Sequence, residues 1–275
     1  MDEGARGALS GVPDTTYIPL VARIWVSKHF PDYFHDEKAL SLEPIIPSES
    51  IAANSGEYEC LASVARSQVI DSMVSDFLAC NPNGAVAFLG AGLETTWSRV
   101  GVPTARCYQV DLPKVAEVRR RVIGCAANEQ IVPGDMFAME WVRSMDASLP
   151  TLLVVSGVWM YFHEDQVLKM ISALKAAFPQ GELAFDATDT AGLKFTNRYV
   201  KKTGNQDAMM YFGLDDPQTF ARNAGISLVE VRGFYGDALK LGRRLGLRTR
   251  VFMRFSEKWG RVMVVHARLN SGMGE

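Results

Sequence analysis

The segment AVAFLGAGLE constrains the fold of this 275-residue chain more than any other stretch. Its apolar half, Ala85–Leu89, has the length of a buried strand. The run ends at Gly90-Ala91-Gly92, and glycine lets a backbone turn sharply and lets a ligand approach it closely. The next apolar run ends at Asp111 in CYQVDLP. A strand, a Gly-x-Gly turn, a helix and a second strand that ends in a carboxylate predict half of a nucleotide-type site.

The composition, 48% hydrophobic and 22% charged residues, is ordinary for a globular protein, and the length is ample for one large α/β domain with an elaboration. A net charge of −2 creates no global field for nucleic acid or an anionic membrane, so we predict neither as a partner. The four cysteines have no C-x-x-C spacing, which is typical of free thiols in a reducing compartment. No signal peptide and no apolar run of roughly 20 residues is found, so the expected location is the cytoplasm. No metal site is predicted.

Apolar runs alternate with helical patterns after residue 80, and this order predicts a parallel, doubly wound sheet. The predicted strands are 85–89, 105–110, 130–132, 151–157, 181–187, 226–234 and 261–269. Residues 1–56 are predicted as an N-terminal helical cover and residues 57–275 as the main domain. Residues 188–216 form a connection too long for an ordinary loop and are predicted as a substrate lid.

Six stretches together resemble one protein family. They are TYIPLVARIWVSKHFPDYFHDEKAL, LASVARSQVIDSMVSDFL, FLGAGLETTWSRV, YQVDLPKVAEVRRR, SGVWMYFHEDQV and FDATD. Over about residues 15–270 the chain resembles the class I S-adenosylmethionine (SAM) methyltransferases. More narrowly, it is similar to the leucine carboxyl methyltransferase / tetracenomycin-type polyketide O-methyltransferase family. The resemblance implies a Rossmann-like seven-stranded sheet with its last strand antiparallel, and SAM as cofactor. Glu94 stands in place of the Asp common in this family's Leu-Asp-Thr element, and Ser156 stands near the position where relatives that methylate a protein C-terminus carry an acid.

The resemblance also implies roles for the residues of the cofactor site. Backbone atoms of the Gly90-Ala91-Gly92 turn would contact the methionine part of SAM. The other predicted cofactor residues are Asp111 and Leu112 at the ribose, Asp135 and Met136 at the adenine, Arg66 at the SAM carboxylate, and Ser156 after strand four. The two aspartates have a simpler alternative role as helix N-caps, and Arg66 as a solvated helix residue.

The acceptor side is less strongly marked. Tyr161 and His163 follow strand four and are predicted to face the reacting methyl group. The candidate substrate residues are Tyr17, Arg23, Arg198, Tyr199 and Tyr211. A carboxylate acceptor is ionised near pH 7 and needs no base, whereas a phenol needs one, for which His163 is the first candidate. The basic run 240–261 is interpreted as a solvated helix face, with an anionic acceptor as the alternative.

The predicted function is SAM-dependent transfer of a methyl group to a carboxyl or phenolic oxygen of a small, polyketide-like molecule. Methyl esterification of a protein or carrier-bound carboxylate and a catalytically silent SAM-binding protein are the alternatives. An NAD-type oxidoreductase shares Gly-x-Gly and the strand-two acid, but Thr95 stands where its third glycine belongs. The oligomeric state stays open between monomer and dimer.

Overall fold

A seven-stranded sheet forms the centre of the molecule in the computed structural model, which describes residues 16–46, 55–203 and 209–270. The strands are β1 (Ala85–Leu89), β2 (Arg106–Asp111), β3 (Glu129–Pro133), β4 (Thr151–Val155), β5 (Glu182–Thr188), β6 (Ser227–Gly233) and β7 (Val262–Arg268). Their order is β3-β2-β1-β4-β5-β7-β6, and β7 runs antiparallel to both of its neighbours. This topology confirms the predicted Rossmann-like sheet with its last strand antiparallel.

Helices cover the sheet, and local sequence fixes several of their ends. They are α1 (Ile18–His29), α2 (Glu37–Leu42), α3 (Glu57–Cys80), α4 (Thr96–Val100), α5 (Pro113–Val122), α6 (Glu164–Ala177), α7 (Thr190–Thr203), α8 (Pro217–Ala224) and α9 (Leu247–Lys258). Helix α8 begins after Asp216, whose carboxylate accepts from the Gln218 and Thr219 amides, and it ends at left-handed Gly225. After β3, residues Glu140–Ser144 form a 3-10 segment rather than an α-helix.

The N-terminal helices share a core with the sheet domain. Leu20 and Ile24 of α1 pack in one buried cluster with Leu93, Val118 and Val122, which belong to the loop after β1 and to α5. The opposite side of α1 packs on α3. Helix α1 therefore lies over the glycine turn.

The carboxyl ends of the parallel strands face the same edge of the sheet. The connection between β6 and β7 also lies at this edge, because Gly233 pairs with Met263 and Thr188 pairs with Val262. Open α/β sheets bind ligands at this edge. Among the described ranges, no helix has both the length and the apolar character needed to span a bilayer.

Candidate active site

A cavity of about 360 Å³ opens at the carboxyl ends of β1, β2 and β4. This volume lies in the range of small-molecule and cofactor sites. Nine of the predicted site residues line it: Arg23, Arg66, Gly90, Ala91, Gly92, Asp111, Leu112, Ser156 and Tyr161. Apolar side chains complete the wall, among them Phe88, Val115, Val154, Val158 and Phe162.

The turn after β1 has a backbone that only glycine adopts without strain. Gly90 and Gly92 have φ angles of 70° and 50°. A Cβ atom on Gly90 would lie 2.7 Å from Cγ2 of Val158, so a side chain there would also close the space beside the cavity. The turn therefore presents its backbone to the cavity, and its contact with a ligand stays a prediction.

Asp111 joins the end of β2 to the glycine turn. Its carboxylate accepts from the Gly92 amide at 2.6 Å and from the Leu112 amide, at the start of α5, at 2.7 Å. Burial raises the pKa of Asp111, and the two amide hydrogen bonds partly oppose that rise. Since a carboxylate has about four lone-pair sites, two remain for hydroxyl groups of a ligand in the cavity.

A buried carboxylate on β5 positions Arg66. Asp186 accepts from Arg66 Nη1 at 3.1 Å through one oxygen and from the Gly157 amide at 2.7 Å through the other. Gly157 has a φ of 74°, and a Cβ there would meet Nη1 of Arg66 at 2.9 Å. The buried Nε of Arg66 has no hydrogen-bond partner among the described residues. The motif FDATD did not by itself predict a role for Asp186, although an acid at the carboxyl end of a central strand is a recognisable signal.

Arg119 supports the glycine turn from behind. Its Nη1 donates to the carbonyl oxygens of Gly92 at 3.1 Å and Glu94 at 2.8 Å, and its Nη2 donates to Glu129 at 3.2 Å. The side chain is 1% exposed. Sequence reasoning missed this residue, because Arg119 is one of three consecutive arginines on an amphipathic helix.

The acid of the Leu-Glu-Thr element sits in a buried ion network. Glu94 pairs with Arg23 at 3.1 Å and with Arg99 at 3.2 Å, and Arg99 also pairs with Asp36 and Asp71. Burial acts to raise the pKa of Glu94, but the two guanidinium groups hold it well below its ordinary value.

The network also occupies Arg23. A further hydrogen bond runs from Arg23 Nη2 to the carbonyl oxygen of Leu93 at 2.6 Å, and the side chain is 1% exposed. Its proposed contact with a substrate stays a prediction.

Asp135 and Met136 lie after β3 and do not line the cavity. Asp135 is exposed, and its carboxylate accepts from the Phe137 amide at 2.9 Å as the cap of a 3-10 helix. The side chain of Met136 is buried in the core, and its carbonyl accepts from the Trp141 indole. The capping role predicted as the alternative for Asp135 is present, and the adenine contact stays a prediction.

The remaining predicted acceptor residues also lie outside the cavity wall. His163 is exposed at the start of α6, with its ring 4.4 Å from that of Tyr211. Tyr17 is buried in the core beneath α1, and Arg198 is exposed on α7. The side chain of Tyr199 falls outside the part of the chain that the structure describes.

Comparison with known proteins supplies the family. The model of the leucine carboxyl methyltransferase family matches residues 22–175, which is more than half of the chain. A curated relative, the tetracenomycin polyketide synthesis O-methyltransferase TcmP of Streptomyces glaucescens, is 24% identical over 214 residues, or 77% of this chain and 78% of that protein.

Solved structures show the same fold. A putative methyltransferase from Thermobifida fusca matches with a TM-score of 0.58 at 19% identity, over 91% of this chain and 94% of its own. A DUF574 family protein from Streptomyces avermitilis matches with a TM-score of 0.58 at 15% identity, over 90% of this chain and 96% of its own. The chain therefore belongs to the leucine carboxyl methyltransferase family and is a SAM-dependent methyltransferase.

Proposed function

We propose that SAM lies in the cavity with its methionine part along the Gly90-Ala91-Gly92 turn, its ribose at Asp111 and its carboxylate near Arg66. The residues fit such a group. Gly90 and Gly92 have no side chain that would keep a ligand away from the backbone of the turn. The buried Nε of Arg66 lacks a hydrogen-bond partner among the described residues. SAM supplies an electrophilic methyl group on a sulfonium, and the protein aligns it with the nucleophile.

We further propose that the acceptor is the carboxylate of a small molecule. The observation that carries this proposal is that, among the described residues of the cavity wall other than Tyr161, the ionisable side chains are already engaged in other contacts. Arg23 and Glu94 pair with each other, Arg66 pairs with Asp186, and Asp111 accepts from two amides. A carboxylate is ionised near neutral pH and therefore needs no proton acceptor.

Tyr161 suits the role of a hydroxyl donor to such an acceptor. Burial raises the pKa of Tyr161, so the phenol stays neutral and can donate a hydrogen bond to a carboxylate oxygen. The apolar cavity wall, which includes Val158 and Phe162, favours an acceptor molecule that is largely apolar apart from its carboxylate. By its name, the relative TcmP acts in polyketide synthesis, which supports a polyketide-like aromatic acid as the acceptor.

The acceptor class is tested with methyl-labelled SAM and paired acceptors. Each pair is an aromatic carboxylic acid and the phenol of the same ring. We expect labelled product from the acids, and mild alkali should release that label as methanol, because methyl esters hydrolyse in base and aryl methyl ethers do not. Base-stable label from the phenols would overturn the carboxylate assignment. SAM binding without labelled product from any acceptor or from a cell extract would indicate a silent binding protein.

Replacing Gly90 with alanine is expected to weaken SAM binding about tenfold or more. The substitution combines a left-handed φ with a Cβ placed 2.7 Å from Val158, and overpacking of this kind costs about 1–3 kcal/mol. Isothermal titration with SAM measures the effect. Gly124→Ala is the matched control, because Gly124 has a φ of 82° and open space around its Cβ. The control should lose about 1–2 kcal/mol of stability and keep its SAM affinity; equal loss of affinity in both variants would contradict the role of the turn.

SAM affinity is expected to fall as the pH is lowered, and the fall should begin at a pH above the usual pKa of an aspartate. Burial raises the pKa of Asp111, so its carboxylate takes up a proton at a higher pH than the usual ~3.9 and then loses acceptor capacity. Below that pKa the affinity should fall up to about tenfold per pH unit. Titrations between about pH 4 and 8 measure the step. Asp111→Asn is the control that removes this step while retaining the titration of SAM itself.

A further inference from the structure

An exposed apolar ridge runs along helix α9. Five large side chains, four on the helix and one at its C-cap, are more than half exposed: Leu247, Val251, Phe252, Phe255 and Trp259. Four of them recur at intervals of four residues, so they form a continuous line along one side of the helix. The opposite side is held in the protein by Thr249 and Met253, both buried. We call these five residues the α9 ridge.

Four cations lie on α9 among the residues of the ridge. They are Arg248, Arg250, Arg254 and Lys258, and none of them has an ion-pair partner among the described residues. The helix carries one acid, Glu257, and its carboxylate accepts from the Tyr235 amide at 2.9 Å. The outward surface of α9 is therefore apolar and cationic, because its one acid is engaged by the Tyr235 amide.

The ridge reaches the sheet edge that holds the cavity. The Arg261 guanidinium lies 5.9 Å from the ring of Phe255 and pairs with Asp189 at 2.8 Å. Asp189 directly follows β5 at the carboxyl edge. The end of α9 therefore lies on the same edge of the molecule as the acceptor cavity.

We propose that the α9 ridge binds an anionic lipid surface. A helix with aromatic and aliphatic residues outward and cations beside them inserts at the level of lipid headgroups, and tryptophan prefers that level. The cations are then attracted to acidic headgroups. A second copy of the chain fits less well, because an isologous contact would face cations with cations. The net charge of −2 gave no hint of this partner, since the whole-chain sum conceals a local cationic surface.

Lipid binding goes beyond the proposed function and is measured independently of it. Lipid binding would also bring the cavity at the carboxyl edge of the sheet close to a membrane surface, where apolar carboxylic acids collect. This benefit to catalysis rests on the proposed function, whereas lipid binding itself does not.

Co-sedimentation of the full chain with lipid vesicles tests the proposal. We expect binding to phosphatidylglycerol-containing vesicles at low salt, weaker binding as salt rises, and little binding to phosphatidylcholine alone. The charge variant Arg248→Glu/Arg254→Glu should bind at least about 25-fold more weakly, since each cation near the surface contributes about fivefold. The apolar variant Phe255→Ser/Trp259→Ser should also lose binding although its charge is unchanged.

The control is Arg120→Glu/Arg121→Glu, which makes the same charge change on exposed residues of α5. It should bind like the wild type, and all variants should keep their thermal midpoint and SAM affinity. Failure of the wild-type chain to bind anionic vesicles would overturn the proposal, as would equal binding by the apolar variant. Self-association that is lost in the apolar variant, without vesicle binding, would assign the ridge to a protein contact instead.

Discussion

Asp111→Ala is expected to weaken SAM binding about 10–100-fold with the fold intact. Hydrogen bonds to a charged group contribute about 1.5–3 kcal/mol, and each 1.4 kcal/mol is tenfold in affinity. The substitution removes the proposed acceptor of the ribose hydroxyls. It also frees the Gly92 amide, which Asp111 holds at 2.6 Å, so the glycine turn loses its attachment to β2. Isothermal titration near neutral pH measures the change.

Two further aspartates make this result interpretable. Asp146→Ala removes an exposed carboxylate that accepts from the amide and hydroxyl of Ser148 and does not line the cavity. It should leave SAM affinity unchanged. Asp135→Ala distinguishes the helix-capping role of Asp135 from its predicted adenine contact. Loss of the cap alone lowers stability by about 1 kcal/mol and leaves SAM affinity unchanged, whereas loss of the adenine contact also lowers the affinity. An Asp111→Ala affinity within about twofold of the wild type would refute the ribose role.

The sheet and the glycine turn were predictable from sequence because both rest on local pattern. An apolar run of strand length, a Gly-x-Gly and an acid after the next run can be recognised without knowing the tertiary structure. The structure accordingly places Gly90 and Asp111 on the same cavity.

Arg119 and Asp186 were not predictable in this way, because tertiary contacts define their roles. Arg119 has two arginine neighbours in sequence, and only the packing of α5 turns it, rather than Arg120 or Arg121, toward the carbonyl oxygens of the turn. Asp186 acts on Arg66, which is 120 residues away in sequence. Without the fold, the sequence does not show which partner either residue contacts, although the position of Asp186 at the end of a central strand marks it as a candidate.

For His163, closeness in sequence to a site segment did not predict a position on the cavity wall. It follows the strand-four loop closely in sequence, and proximity in sequence suggested proximity to the reacting methyl group. The structure places it exposed at the start of α6 beside Tyr211, whereas Tyr161, two residues earlier, lines the cavity, so the catalytic role of His163 stays a prediction. Tyr161 is the last residue of a 3-10 turn, Trp159–Tyr161, whereas His163 is the N-cap of α6.

Arg99→Met is expected to lower the stability of the chain by about 3–5 kcal/mol, which corresponds to a thermal midpoint about 6–20 °C lower. Arg99 contacts Asp71 at 2.7 and 2.9 Å, Glu94 at 3.2 Å, and Asp36. Its removal leaves three largely buried carboxylates with Arg23 as the remaining cation of the network. The exposed Arg121, paired with Glu117, provides the control: Arg121→Met should cost less than about 1 kcal/mol.

The pH dependence of this loss distinguishes electrostatics from packing. In the wild type, the lowered pKa of Glu94 contributes stability above about pH 4.5, and this contribution fades as the pH falls toward the folded-state pKa. In Arg99→Met the carboxylates lack their cation, so their pKa values rise and protonation relieves their repulsion. Both effects act in the same direction, and the difference in unfolding free energy between wild type and variant should shrink on acidification. A difference that stays constant from neutral pH to about pH 3.5 would indicate that Arg99 stabilises the fold by packing, for instance against the ring of Phe34 at 4.9 Å, rather than through the ion network.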